Sequence, residues 1–154
     1  MTSRARLAAI PVIALIGLFS STAPAWAARG VYASSCQEGH AGPYDVVASF
    51  QYYPTGSPVR LLCGTPAKGV LHIVQGAHPH PIDAADDDVF EQCLSRVFRS
   101  SVESGASPGN FAITAKLRSG ARATVTWELS TREIVTAYTS DGAQGNNWRG
   151  CAAG

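Results

Sequence analysis

Three consecutive stretches in the second half of the chain alternate apolar and polar residues. They span residues 110–117, 121–129 and 133–139, and the middle one alternates Ala123, Val125 and Trp127 with polar side chains. A period of two places successive side chains on opposite faces of a β-strand. The connections, Ser119-Gly120 and residues 130–132, are short and rich in turn-forming residues. Because such short turns join only antiparallel strands, the sequence predicts a three-stranded meander.

A helical pattern lies before the meander, from Asp83 to Ser101. Its apolar residues recur on one face and are Val89, Phe90, Cys93, Leu94, Val97 and Phe98. Aspartates at positions 86–88 stand near its start, and Arg96 and Arg99 stand near its end. Negative charges at the start and positive charges at the end suit the helix dipole, so we interpret the aspartate run as a helix start rather than a calcium site.

The first half of the mature chain predicts a β-hairpin. Residues 44–53 alternate in the same way, a turn follows at 54–58, and a second short strand is predicted at 59–63. The order of hairpin, histidine-containing segment, helix and meander predicts an α+β fold. In this fold one main helix packs on a curled antiparallel sheet. We predict a single monomeric domain over residues 29–154.

Residues 1–28 have the pattern of a secretory signal peptide. Arg4 and Arg6 precede the apolar run from Leu7 to Phe19, and small residues surround a cleavage site near Ala27. The run is shorter than the ~20 residues that a membrane span needs, and no later stretch is apolar enough to be one. Removing the two arginines changes the chain's 12 basic and 11 acidic residues to 10 and 11. The secreted chain therefore has no overall charge that would attract nucleic acid.

All four cysteines belong to this predicted mature chain, at positions 36, 63, 93 and 151. An even number of cysteines in an exported chain indicates disulfides, and four cysteines allow three pairings. From their order we predict Cys63–Cys93 nested inside Cys36–Cys151. The chain has no CxxC motif, so neither a zinc knuckle nor a thioredoxin-type site is indicated.

Three of the four histidines cluster between Gly69 and Pro81. His72 lies in the apolar run 70–74, which fits either a strand or a short helix, and His78 and His80 follow in a proline-rich loop. Imidazole ordinarily titrates near neutral pH, so two histidines can supply a general base and a general acid. His40 stands apart, in a segment that we predict to be irregular and exposed.

Two segments carry a resemblance to a known family. One contains Lys68, His72-Ile73, Gly76 and His78, and the other is the strand Glu133-Ile134-Val135-Thr136-Ala137-Tyr138. Together they resemble bacterial EndoU-like ribonuclease toxins of the barnase–EndoU–colicin–RelE superfamily, over about residues 68–140. The family fold, a helical part followed by a curled antiparallel sheet, agrees with the predicted order of elements. The chain departs from the family pattern at Gly-Ala-His-Pro-His-Pro and at Thr139, where the family often has proline.

The resemblance implies a metal-independent endoribonuclease that leaves a 2′,3′-cyclic phosphate and needs no cofactor. It assigns His72 and His78 as the two catalytic histidines, with His80 as an alternative to His78. It places Thr136 and Tyr138 at phosphate- or base-contacting positions. It also implies RNA as substrate and a neutralising, immunity-type protein as partner. The chemistry separately requires a cation near the phosphate, for which the candidates are Lys116, Arg118 and Arg122.

Two other functions fit parts of the sequence. The strand 59–63 that runs into a cysteine and the segment Gly76-Ala77-His78-Pro79 resemble secreted inhibitors of the subtilisin-inhibitor type. Such an inhibitor needs a rigid exposed loop held by a disulfide. Alternatively, His72, His78 and His80 offer the neutral imidazoles that suit a zinc or copper ion.

Overall fold

A computed structural model describes residues 33–100, 102–105 and 107–154. The predicted signal peptide, residues 1–28, lies outside the described residues. The helices are α1 (Ala33–Gln37), α2 (Val70–Gln75), α3 (Asp87–Ser100) and α4 (Trp148–Ala153). The strands are β1 (Val46–Tyr52), β2 (Ser57–Leu62), β3 (Val102–Gly105), β4 (Asn110–Lys116), β5 (Arg122–Glu128) and β6 (Ile134–Thr139). None of the helices in these ranges is long and apolar enough to span a membrane.

The predicted meander is confirmed as strands β4, β5 and β6, which pair antiparallel in sequence order. Strand β5 buries Ala123, Val125 and Trp127, while the residues between them are at least partly exposed. The short strand β3 adds to the free edge of β4. The sheet therefore has an inner apolar face and an outer polar face.

Helix α3 packs on the inner face of this sheet, as the apolar periodicity predicted. Phe90, Leu94 and Val97 are completely buried. The helix begins at Asp87 rather than Asp83, because residues 84–86 form a separate 3₁₀ turn. The α+β class with one main helix is confirmed.

The predicted hairpin is confirmed as strands β1 and β2, a separate antiparallel sheet whose strand β1 packs against α3. Phe50 stacks on Phe98 of α3 with ring centroids 5.2 Å apart, and Tyr52 packs against Trp127 at 5.2 Å. Val46 was predicted on the same face as Phe50 and Tyr52, yet half of its surface is exposed. An irregularity in the strand pairing between Val46 and Ala48 turns it outward.

The two disulfides exist, but the predicted pairing was wrong. Cys36 bonds to Cys63, and Cys93 bonds to Cys151. The physical reason is that both ends of the described chain form short helices. The first helix, α1, lies beside the end of β2, and the last, α4, folds back along α3. The sequence predicted irregular structure near Cys36 and no helix around Cys151, so it could not place these cysteines.

We expect the buried face of α3 to dominate stability. Phe90→Ala would remove a fully buried ring that packs edge-on against Trp148 at 4.8 Å. Such a substitution costs about 3–5 kcal/mol of unfolding free energy, measurable by denaturant titration. Tyr53→Ala is the control, because Tyr53 is 79% exposed and its removal should cost less than about 1 kcal/mol. Equal losses in the two variants would contradict this assignment of the core.

Candidate functional site

The outer face of the meander carries a patch of hydroxyl-bearing side chains. Directly paired residues share a face, and Thr126 pairs with Thr136 while Thr124 pairs with Tyr138. On the next strand, Thr114 pairs with Thr124, and their hydroxyl oxygens lie 3.0 Å apart. We call these five residues the hydroxyl face. The predicted site residues Thr136 and Tyr138 therefore lie side by side on an accessible surface.

His80 lies against this face. Its ring stacks on Tyr138, with ring centroids 5.4 Å apart and planes inclined by 26°. Its Nδ1 lies 2.5 Å from the carbonyl oxygen of Gln144, and its backbone N–H donates to the carbonyl of Ile73 at 2.6 Å. Three contacts thus fix the imidazole beside strand β6.

Helix α2, which carries His72, packs against the same strand. The ambiguous run 70–74 is helical, buries Val70 and Ile73, and leaves His72 half-buried. At its start, Gly69 adopts φ +84° and donates its N–H to the carbonyl of Ile134 at 3.1 Å. A Cβ at Gly69 would lie 2.7 Å from the carbonyl oxygen of Leu62, so the close approach of this turn to the end of β2 requires glycine.

The imidazoles of His72 and His80 share one hydrogen-bonding pattern. The Nδ1 of His72 lies 2.6 Å from the carbonyl oxygen of Pro66, as the Nδ1 of His80 lies beside that of Gln144. A carbonyl only accepts, so Nδ1 must carry the proton in both rings. In the neutral tautomer Nε2 is then left as the basic nitrogen. Both side chains are set up to accept or deliver a proton at Nε2.

The other two histidines differ from this pattern. His78 is exposed, and it makes no hydrogen bond to any other residue that the structure describes. His40 is also exposed and pairs with Glu38 in the N-terminal segment. Between the two choices left open by the sequence, the contacts to β6 belong to His80. His78 stays a prediction from the resemblance.

The three predicted cations lie at one end of the outer face. Lys116 pairs with Arg122 across β4 and β5, one same-face position beyond the pair Thr114–Thr124. This step is about 7 Å along a strand, within reach of long side chains. Arg118 is exposed in the following turn. None of the three has a salt-bridge partner among the residues that the structure describes.

The opposite end of this face carries an ion-pair network that the sequence did not predict. Lys68 bonds Glu133 at 2.6 Å and Glu128 at 3.2 Å, and Arg60 bonds Glu133 at 3.2 Å. The hydrogen bond to Glu133 raises the pKa of Lys68, with Glu128 adding to the effect against partial desolvation. A hydrogen bond from Thr131, followed by that from Lys68, lowers the pKa of Glu128. The positive charge of Lys68 is thereby balanced by two carboxylates. Lys116, Arg118 and Arg122, at the other end, have no such partner among the described residues.

Metal coordination by the histidine segment finds no support in the described ranges. No group of three or more histidine, cysteine or acidic side chains there converges on one point. His72 and His80 instead direct Nδ1 to separate backbone carbonyls.

Comparison with known proteins gives no match of any kind. No protein-family model, curated protein or solved structure matches this chain.

Sequence reasoning missed the C-terminal segment that holds His80. Gln144 supplies the carbonyl, and the indole N–H of Trp148 donates to the carbonyl of Pro81 at 2.8 Å. A tryptophan close to a cysteine in a Gly/Asn-rich tail was the available signal, because a large ring and a disulfide both indicate an anchored segment.

The network around Glu128 predicts a pH effect on stability. Glu128 has a lowered pKa, so its stabilising contribution is complete above its ordinary pKa near 4.5 and is lost as pH falls through the lowered value. In Thr131→Ala, we expect the pKa of Glu128 to rise and this contribution to shrink. An NMR titration of the Glu128 side-chain carbonyl tests this, with the remote Thr55→Ala as control. An unchanged Glu128 titration in Thr131→Ala would contradict the assigned cause.

Proposed function

We propose that this chain is a secreted endoribonuclease that cleaves RNA by attack of the ribose 2′-OH on the adjacent phosphorus. The proposal rests on one observation above all. Two imidazoles of the segment 70–81, whose helix α2 contacts strand β6, each have Nδ1 held by a backbone carbonyl, which leaves Nε2 as the basic nitrogen. General acid–base chemistry requires such fixed tautomers at positioned nitrogens.

In the proposed reaction, Nε2 of His72 takes the proton of the 2′-OH as the new 2′-oxygen–phosphorus bond forms. The second imidazole, protonated at Nε2, gives its proton to the 5′ oxygen as the phosphorus–oxygen bond to it breaks. The products are a 2′,3′-cyclic phosphate and a free 5′-OH. The resemblance assigns the second role to His78, whereas the contacts with Gln144 and Tyr138 favour His80.

The hydroxyl face and the cations at its end offer groups for binding the bases and the phosphates of RNA. Tyr138 is 37% exposed and offers part of its ring for stacking a base, which is how single-stranded RNA is commonly held. Lys116 and Arg122 lie one row away and have no salt-bridge partner among the described residues. Their charge would bind phosphates and stabilise the charge that develops in the transition state.

Export is part of the proposal. The signal-peptide pattern of residues 1–28 predicts it, and the two disulfides are compatible with an oxidising compartment outside the cytosol. The proposed location is extracellular.

The direct test is cleavage of end-labelled RNA by the oxidised chain lacking residues 1–28, in the presence of a chelator. We expect products with 2′,3′-cyclic phosphate ends and no cleavage of the 2′-deoxy substrate. His72→Ala and His80→Ala should each lower the rate by about 10²–10⁴-fold, because each removes one proton-transfer group.

His40→Ala is the matched control, since His40 is exposed and pairs only with Glu38 among the described residues. A larger loss in His78→Ala than in His80→Ala would assign the second role to His78. The absence of cyclic-phosphate products, together with stoichiometric inhibition of subtilisin, would overturn the ribonuclease and favour the inhibitor.

A further inference from the structure

The imidazole of His80 is held by the C-terminal segment 141–153, which we call the C-terminal clamp. Gln144 of this clamp accepts the Nδ1 hydrogen bond. Gly145 follows with φ +67°, and a Cβ there would lie 2.9 Å from Nδ1 of His80 and 2.8 Å from the carbonyl oxygen of Thr139. The clamp therefore touches the ring so closely that no side chain fits between them.

The clamp also holds the loop from which His80 projects. Both Trp148, through its indole N–H at 2.8 Å, and Asn146, through its side-chain amide at 3.4 Å, donate to the carbonyl of Pro81. Asn147 connects the clamp to the end of β6, because its backbone N–H donates to the hydroxyl of Thr139 at 3.0 Å. The clamp is thus joined to the loop at Pro81 and to strand β6 at Thr139.

The clamp itself depends on helix α3 for its position. Its helix, α4, has only six residues, too few to be stable without tertiary contacts. Cys151 in α4 is bonded to Cys93 in α3, and Arg96 of α3 donates to the carbonyl of Cys151 at 2.8 Å. Arg149 forms an ion pair with Asp86, just before α3. The one covalent tie in this set is the disulfide.

We propose that the Cys93–Cys151 disulfide positions His80 through the clamp, so that oxidation switches the site on and reduction switches it off. The effect of the disulfide on RNA cleavage rests on the proposed ribonuclease function, whereas its positioning of His80 does not. Reduction by a dithiol gives two cysteine thiols and the oxidised, disulfide form of the reductant. Both sulfurs are buried, so this exchange requires the short α4 to open first.

Such a switch would protect the cell that makes the protein. Disulfides do not persist in a reducing cytosol and form after export. A newly made chain would therefore carry a mispositioned His80 and leave the producer's own RNA intact. The Cys36–Cys63 disulfide forms no hydrogen bond with the clamp among the described residues, so it should not act as the switch.

The test compares two variants that each lack one disulfide. In Cys93→Ser/Cys151→Ser, we expect nitrogen-15 NMR of the histidine rings to show loss of the fixed Nδ1–H tautomer at His80, and RNA cleavage to fall by about 10²-fold. In Cys36→Ser/Cys63→Ser, the His80 tautomer should stay as in the wild type. Gly145→Ala keeps both disulfides and should also release His80, because its Cβ would occupy the space of the ring.

Three outcomes would overturn the positioning role of the disulfide, and a fourth would overturn only the ribonuclease proposal. A wild-type His80 tautomer in Cys93→Ser/Cys151→Ser overturns the proposal, and so does loss of the whole fold, seen by circular dichroism, because the disulfide would then support the core rather than the clamp. A wild-type tautomer in Gly145→Ala overturns it as well. If the wild-type protein cleaves no RNA, the ribonuclease proposal fails alone, because the tautomer measurement still decides the positioning role.

Discussion

Both edges of strand β6 form backbone hydrogen bonds to other elements, and the position of the candidate site depends on this. One edge pairs with β5, and the other receives the N–H of Gly69 at the start of α2. An uncovered outer strand would offer unpaired backbone groups to other chains. Covering it with α2 removes that liability at the start of β6. It also brings the histidine segment to the sheet, because His72 belongs to that helix.

The two ends of the outer face differ in charge. At one end Lys68 is neutralised by Glu128 and Glu133, and at the other Lys116 and Arg122 have no salt-bridge partner in the described part of the chain. The chain as a whole is close to neutral. Any attraction for a polyanion must therefore be local, and it would orient the ligand toward the basic end. In the proposed function, phosphates would lie near that end and beside the imidazole that stacks on Tyr138.

Regular periodicity explains which parts of the fold the sequence could predict. The meander, the hairpin and α3 each bury one face, so their apolar residues recur at a fixed spacing. Helices α1 and α4 are stabilised by contacts with distant elements rather than by their own pattern, and the sequence predicted neither. The disulfide pairing failed for the same reason, because Cys36 and Cys151 both lie in these end helices.

The candidate site was only partly predictable, for a related reason. Thr136 and Tyr138 lie in a strand with a recognisable pattern, and the structure places them on the outer face of β6. The run that holds His72 fitted either a strand or a short helix, and only the structure shows it as helix α2. The distinction between His78 and His80 depends on Gln144, which is 64 residues away from His80 in the chain. Likewise, Lys68 is 65 residues from Glu133, and no local pattern predicts that pair.

In the proposed function, His72 and His80 act on one phosphodiester bound at the hydroxyl face. NMR of the histidine rings during titration with a 2′-O-methyl RNA trinucleotide tests it directly, because this ligand lacks the nucleophile and stays intact. The account predicts that the signals of His72 and His80 shift together with one saturation curve, while that of His40 stays fixed. Saturation that moves neither signal, or only one of the two, would contradict it.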